Sequence, residues 1–117
     1  MKLIYVAGPI SGNELANIGK AVTVANMLMD WGFAVICPHS MSALMQMTKP
    51  RTHQEWLQMD FEIIRRCDAL FRIAGPSVGA DMEVKFSKDN GIPVFYDMRS
   101  LIGWVKPEDY RRITNES

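Results

Sequence analysis

The sequence predicts an α/β fold of three layers, with helices on both faces of a parallel sheet of four to five strands. Two observations lead there. Short apolar runs ending in Gly or Pro alternate with amphipathic segments of ten or more residues, the pattern of parallel strands and their crossover helices. The length, 117 residues, suits one domain spanning 1–117 and built around one core.

The elements follow in order. Lys2 to Ala7 is an apolar run containing Ile4, Tyr5 and Val6, stopped by Gly8 and Pro9, and reads as a buried strand. From Asn13 onward, Leu15, Ile18, Val22, Ala25 and Met29 recur at steps of three and four, which predicts a helix burying that face and closing at Trp31-Gly32. Phe33 to Cys37 reads as a second strand stopped by Pro38, and the Met- and Ser-rich stretch from His39 to Thr52 has no clean period. Glu55 to Arg66 is helical through Trp56, Met59, Ile63 and Cys67, and Ala69 to Ala74 is a third strand broken by Gly75-Pro76. Gly79 to Asp89 reads as a helix ended by Asn90-Gly91, Ile92 to Tyr96 as a fourth strand, and Pro107 to Arg112 as a short last helix.

This order describes a Rossmann-like, flavodoxin-like sheet, in which ligands lie at the C-terminal ends of the strands. The loops of interest are therefore Gly8 to Asn13, the chain from Pro38, Gly75 to Gly79, and the stretch after Tyr96.

Thirteen Lys and Arg balance thirteen Asp and Glu, so no charge excess points to a nucleic-acid or membrane surface. Cys37 and Cys67 have neither CxxC nor histidine spacing, which argues against a zinc site or disulfide framework and for buried thiols in a reducing compartment. The N-terminal apolar run is too short for a signal peptide or membrane span. A cytosolic protein acting on a small ligand is the expectation.

In the first loop, AGPISGN, Gly8 and Gly12 permit close backbone approach, and Ser11 or Asn13 is placed to cap the helix. The free N–H groups there suit an anion, although neither GxGxxG nor GK[ST] is present. In the third loop Ser77 and Gly79 precede a helix that presents Asp81, expected as a cap, and Glu83. Glu83 is either an N-terminal capping acid or a nucleophile that the helix dipole keeps ionised at neutral pH. Asp60 falls on or beside the apolar face of its helix, and a buried acid needs a partner or a task. Asp68 reads as a turn residue, His53 as solvent-facing, and the nine methionines and three tryptophans mostly as core.

Taken together, YVAGPISG, MDFEIIRRCDAL and PSVGADMEVKFSKDNGIPV resemble the nucleoside 2-deoxyribosyltransferase superfamily, over roughly residues 3 to 96. PSVGADME is similar to the Pro-Ser-x-Gly-x-x-x-Glu signature of its 2'-deoxynucleoside 5'-phosphate N-hydrolase branch. The resemblance implies Glu83 as catalytic glutamate, Asp60 as sugar-contacting aspartate and Tyr5 as orienting tyrosine. It implies a substrate-binding set of Gly8, Ile10, Ser11, Gly12, His39, Ser77 and Gly79, with Ser77 toward the phosphate and His39 toward the base. One departure stands out: Ser11 occupies the place of an arginine in the monophosphate hydrolases. Backbone amides, Ser11 and Ser77 could still hold a phosphate, or Arg51, Arg72 or Arg99 would supply the charge from elsewhere.

The implied reaction is hydrolysis of an N-glycosidic bond of a (deoxy)nucleoside 5'-monophosphate through a covalent glycosyl-Glu83 intermediate, without metal or cofactor. The resemblance also implies a homodimer or larger assembly whose neighbouring subunit helps build each pocket. Base exchange is the alternative enzymatic outcome, and a non-catalytic nucleotide binder the alternative of another class. The Gly79-to-Glu83 spacing also matches the Gly-Thr-x-x-Glu turn of cytokinin-activating phosphoribohydrolases, but the double glycine expected before it is absent.

Overall fold

The computed structural model of the chain describes residues 1–105. The helix expected at Pro107 to Arg112 lies outside the described residues. Four strands, β1 (Leu3–Ala7), β2 (Ala34–Ile36), β3 (Ala69–Arg72) and β4 (Val94–Phe95), form a fully parallel sheet in the order β2-β1-β3-β4. Helices α1 (Glu14–Asp30), α2 (Pro38–Thr48), α3 (His53–Arg65), α4 (Val78–Asp89) and α5 (Met98–Trp104) complete the described chain. The three-layer parallel α/β architecture is the one the sequence predicts.

Alternation along β1 divides the core, because successive strand residues face opposite sides of a sheet. Ile4 and Val6 pack with Ala21 and Leu28 of α1 and Leu101 of α5. Tyr5 and Ala7 face the other way, with Ile64 of α3 and Ala80 of α4. This side is where the carboxyl groups gather.

Several elements differ from expectation for identifiable reasons. The inward stripe of α1 is Ala21 and Leu28, with Val24 beside them, whereas Leu15 and Met29, expected inside, are 85% and 63% exposed. Alanine lets the helix lie close to the sheet, so the smaller residue marks the contact and the larger ones point away. The stretch from His39 to Thr52 is mostly helix α2, for which Pro38 is the first residue rather than a strand stop. Its period is obscured because Leu44 and Met47 stay 66% and 81% exposed. Helix α3 starts earlier than its apolar spacing shows, where the Thr52 hydroxyl accepts the Glu55 N–H at 3.1 Å. The segment after Tyr96 forms α5, capped by Asp97, whose carboxylate accepts the Ser100 N–H at 2.8 Å. Trp31, expected mostly as core, is also exposed.

The sheet order makes β1 and β3 neighbours whose following connections diverge. Their C-terminal ends define the crevice of such a sheet. Two contacts hold the loops there together. An added Cβ on Gly8 would stand 3.0 Å from the Ile73 Cβ, and Gly75, at φ +123°, leaves only 2.8 Å between such a Cβ and Pro9. Only glycine adopts that backbone angle without strain and admits the proline ring.

Candidate active site

A cleft of about 1060 Å³ opens at this crevice, bounded by the β1–α1 loop, α2, the start of α3 and the start of α4. Its floor is Tyr5, Asp60 and Glu83. Tyr5 comes from the α3/α4 face of β1, and its hydroxyl donates to Glu83 Oε2 at 2.6 Å across 78 residues of sequence. Phe61 and Phe86, next to Asp60 and one turn after Glu83, stack with ring centroids 4.4 Å apart. That stack locks α3 against α4 beside the two acids.

Glu83 is not a helix cap. Ser77 holds the N-cap position of α4, its hydroxyl accepting the Ala80 N–H at 3.1 Å, and Glu83 lies more than a turn further along, 6% exposed. Asp81 does not cap either: it pairs with Arg72 at 3.0 Å.

Nor does the helix dipole keep Glu83 ionised at neutral pH, contrary to expectation. Burial and the adjacent Asp60 carboxyl push its pKa up to about 9, against smaller opposing effects of the Tyr5 hydroxyl and Arg72. Burial also raises Asp60, opposed by its interactions with Glu83, Tyr5, His39 and His53. The two acids lie close enough to titrate together, and burial beside a second carboxyl favours one proton held by the pair at neutral pH. The Tyr5 phenol is raised too, by burial first and by both acids, so it stays a donor. Asp60 Oδ1 is buried without a hydrogen-bond partner.

His39 is 3% exposed, and its Nε2 lies 3.0 Å from the Pro9 carbonyl oxygen. A carbonyl only accepts, so Nε2 carries the proton, and in the neutral ring Nδ1 is left as a buried acceptor without a partner. Gly8, Ile10, Ser11, Ser77 and Gly79 line the cleft with it. Gly12 does not: it turns the loop at φ +98° with nothing near its Cα. Asn13 holds the cap position of α1 but makes no side-chain cap hydrogen bond, and Asn17 binds the Ile10 and Ser11 carbonyls instead, both at 3.3 Å.

The cleft also takes residues that the sequence reading left out. Glu14 and Leu15 from α1, Gln46 and Met47 from α2, and Trp56 from α3 line it. His53, read as solvent-facing, is exposed as expected and also lines it, with its ring against the first turn of α4. Its position two residues before the Glu55 of a Thr-x-x-Glu capping pattern was the available signal, since it places His53 at the mouth of a helix. Asp68 is elsewhere, accepting the Leu3 N–H at 2.7 Å. Among the described residues no group of three or more His, Cys, Asp or Glu is arranged to hold a metal, and no helix is long and apolar enough to cross a membrane.

The fold is a parallel α/β sheet whose switch-point crevice holds a buried glutamate, Glu83, beside Tyr5 and the half-buried Asp60. Residues 2–97 match the family described as a domain of unknown function (DUF7768), and the chain belongs to that family. No curated protein matches it. Solved structures share the fold. A conserved protein from Enterococcus faecalis V583 superposes with a TM-score of 0.69 at 19% identity, over 80% of this chain and 61% of that one. A 2-deoxyribosyltransferase from Bacillus psychrosaccharolyticus gives 0.61 at 19% identity, over 92% and 94%. A 2-desoxiribosyltransferase from Leishmania mexicana gives 0.60 at 18% identity, over 80% and 62%. The chain thus spans less than two thirds of the first and third of these proteins.

Proposed function

We propose that the protein is a cytosolic N-glycosidase that hydrolyses a (deoxy)nucleoside 5'-monophosphate to free base and sugar phosphate. The observation that carries this reading is the Tyr5 hydroxyl 2.6 Å from Glu83 Oε2, with Asp60 beside them on the floor of one cleft. Breaking an N-glycosidic bond builds positive charge at C1' of the sugar, and a carboxylate beneath that carbon stabilises it and can trap it.

The proton balance of the pair fits two steps. As charge develops at C1', the shared proton moves from Glu83 to Asp60. Glu83 then attacks C1', forming a glycosyl ester, while Asp60 gives the proton to the departing base. In the second step Asp60 takes a proton from water, whose oxygen displaces Glu83 from C1'. Glu83 leaves as carboxylate, and the proton taken up by Asp60 is shared with Glu83 again, which restores the starting pair. Tyr5 holds Glu83 in position throughout.

Transfer to a second base in place of water is the second reading, favoured by the two 2-deoxyribosyltransferases among the similar folds. A homodimer or larger assembly fits the apolar side chains at the cleft rim, where Leu15 and Met47 are 85% and 81% exposed.

The test is incubation with nucleosides, deoxynucleosides and their 5'-monophosphates, with free base followed by chromatography and Glu83→Ala as control. Release from deoxynucleoside monophosphates, abolished in the variant, is expected. Release only on addition of a second base moves the reading to transferase, and binding without release under any condition overturns catalysis.

A further inference from the structure

Three carboxyl side chains, Glu14, Asp60 and Glu83, line the cleft, and among the described residues its only Lys or Arg is Arg51. An anionic substrate entering a cleft of that balance needs a cation to meet it. The other arginines named from the sequence are elsewhere. Arg72 is bound to Asp81 and to the carbonyls of Ile73 and Gly75, and lines a separate depression. Arg99 lies on α5, away from the cleft lining.

Arg51 has no carboxylate partner among the described residues, yet it is held in place. Its guanidinium lies over the Trp56 ring, 5.6 Å from the centroid, and one terminal nitrogen donates to the Lys49 carbonyl at 3.3 Å. Gln46 clasps the Arg51 backbone, from which the side chain springs: its Oε1 accepts the Arg51 backbone N–H at 2.9 Å and the Trp56 indole N–H at 2.6 Å, and its Nε2 donates to the Arg51 carbonyl at 3.3 Å. The clasp uses the hydrogen bonds of Gln46 on protein. It leaves the other guanidinium N–H groups of Arg51 for a ligand.

The segment is also tied to the start of α4. Two residues after Arg51, the His53 ring packs so that a Cβ on Gly79 would stand 3.2 Å from its Cε1. The first backbone hydrogen bond of α4 is from Asp81 N–H to the Ser77 carbonyl at 3.0 Å, and the Ser77 hydroxyl serves Ala80. The N–H groups of Val78 and Gly79 precede that first bond, and both residues line the cleft.

We propose that Arg51, preset by Gln46 and Trp56, is the specificity-determining residue that reads the substrate's phosphate, replacing the arginine that Ser11 displaces. This rests on the N-glycosidase reading of the cleft. A stacked guanidinium with free N–H groups grips a phosphate through charge-assisted hydrogen bonds, and a compact ammonium does so less well.

The experiment is equilibrium calorimetry in a Glu83→Gln background, which stops turnover. The four common 2'-deoxynucleosides and their 5'-monophosphates are titrated with Arg51 intact, with Arg51→Gln and with Arg51→Lys. Arg51→Gln is expected to weaken every monophosphate by about tenfold or more and every unphosphorylated nucleoside by less than about twofold. Arg51→Lys is expected to fall between, and unchanged nucleoside binding shows that each variant is folded. A monophosphate preference that survives Arg51→Gln overturns the role of Arg51 while leaving the glycosidase reading standing. So does a loss that follows the base rather than the phosphate. If no nucleoside or nucleotide binds with Arg51 intact, the reading of the cleft fails with it.

Discussion

Glu83 illustrates what a single residue carries. Its place after Ser77 and Gly79 marks it as a candidate in the sequence, and Asp60 stands out as an acid on an apolar helix face. Their charge state is not legible there, because it arises only when β1, α3 and α4 bring Tyr5, Asp60 and Glu83 into one buried cluster. The folded state holds the Glu83 proton more tightly than the unfolded chain, whose glutamate titrates near 4.5. The stabilising effect of that proton is complete below that value and is lost as pH rises toward about 9. Glu83→Gln keeps the shape, can accept from Tyr5 and never ionises. It is expected to raise Tm at pH 8 by about 4 °C or more while abolishing base release; an unchanged or lower Tm would contradict the buried, strained acid. In a pH profile of the wild-type protein, the proposed base release is expected to fall in kcat/KM as pH rises through about 9, where Glu83 loses its proton. Tyr5→Phe removes the hydrogen bond to Glu83, and under the proposed mechanism kcat should drop roughly 10- to 100-fold with little change in KM.

At the scale of elements, the strands and helices α3 and α4 are legible because Gly, Pro and the 3.6-residue period mark their ends and faces. Helix α2 is not, because its large apolar side chains Met41, Leu44, Met45 and Met47 are exposed rather than packed in a core, and that removes the period. The face of α1 misleads for the converse reason: Ala21 marks its contact with the sheet, and larger residues such as Leu15 face outward. Gly75 joins the two loops of the site. Gly75→Ala must bear both φ +123° and a Cβ 2.8 Å from Pro9, and is expected to cost about 1–3 kcal/mol and lower activity as the loops part. Gly19 is the control, within α1 and with nothing within 4 Å of an added Cβ. Gly19→Ala should stabilise by roughly 0.5–1 kcal/mol with activity unchanged, and thermal melts of the two variants provide the comparison.

At the scale of the molecule, alternating strands and helices placed the cleft before any contact was known, since a sheet ordered β2-β1-β3-β4 has its switch point between β1 and β3. The motif segments supplied the floor of that cleft. They did not supply the rim, because Gln46, Arg51 and Trp56 meet there through a clasp between two helices that no short spacing encodes. The central claim is that Glu83 forms a covalent ester with the sugar. Intact-protein mass spectrometry after rapid acid quench, using a deoxynucleoside 5'-monophosphate fluorinated at C2' to slow the second step, tests it most directly. A mass gain equal to the fluorinated sugar phosphate less one water is expected, mapped by proteolysis to the peptide containing Glu83 and absent from Glu83→Gln. Turnover of the natural nucleotide with no adduct at any quench time, or an adduct on another residue such as Asp60, would contradict it.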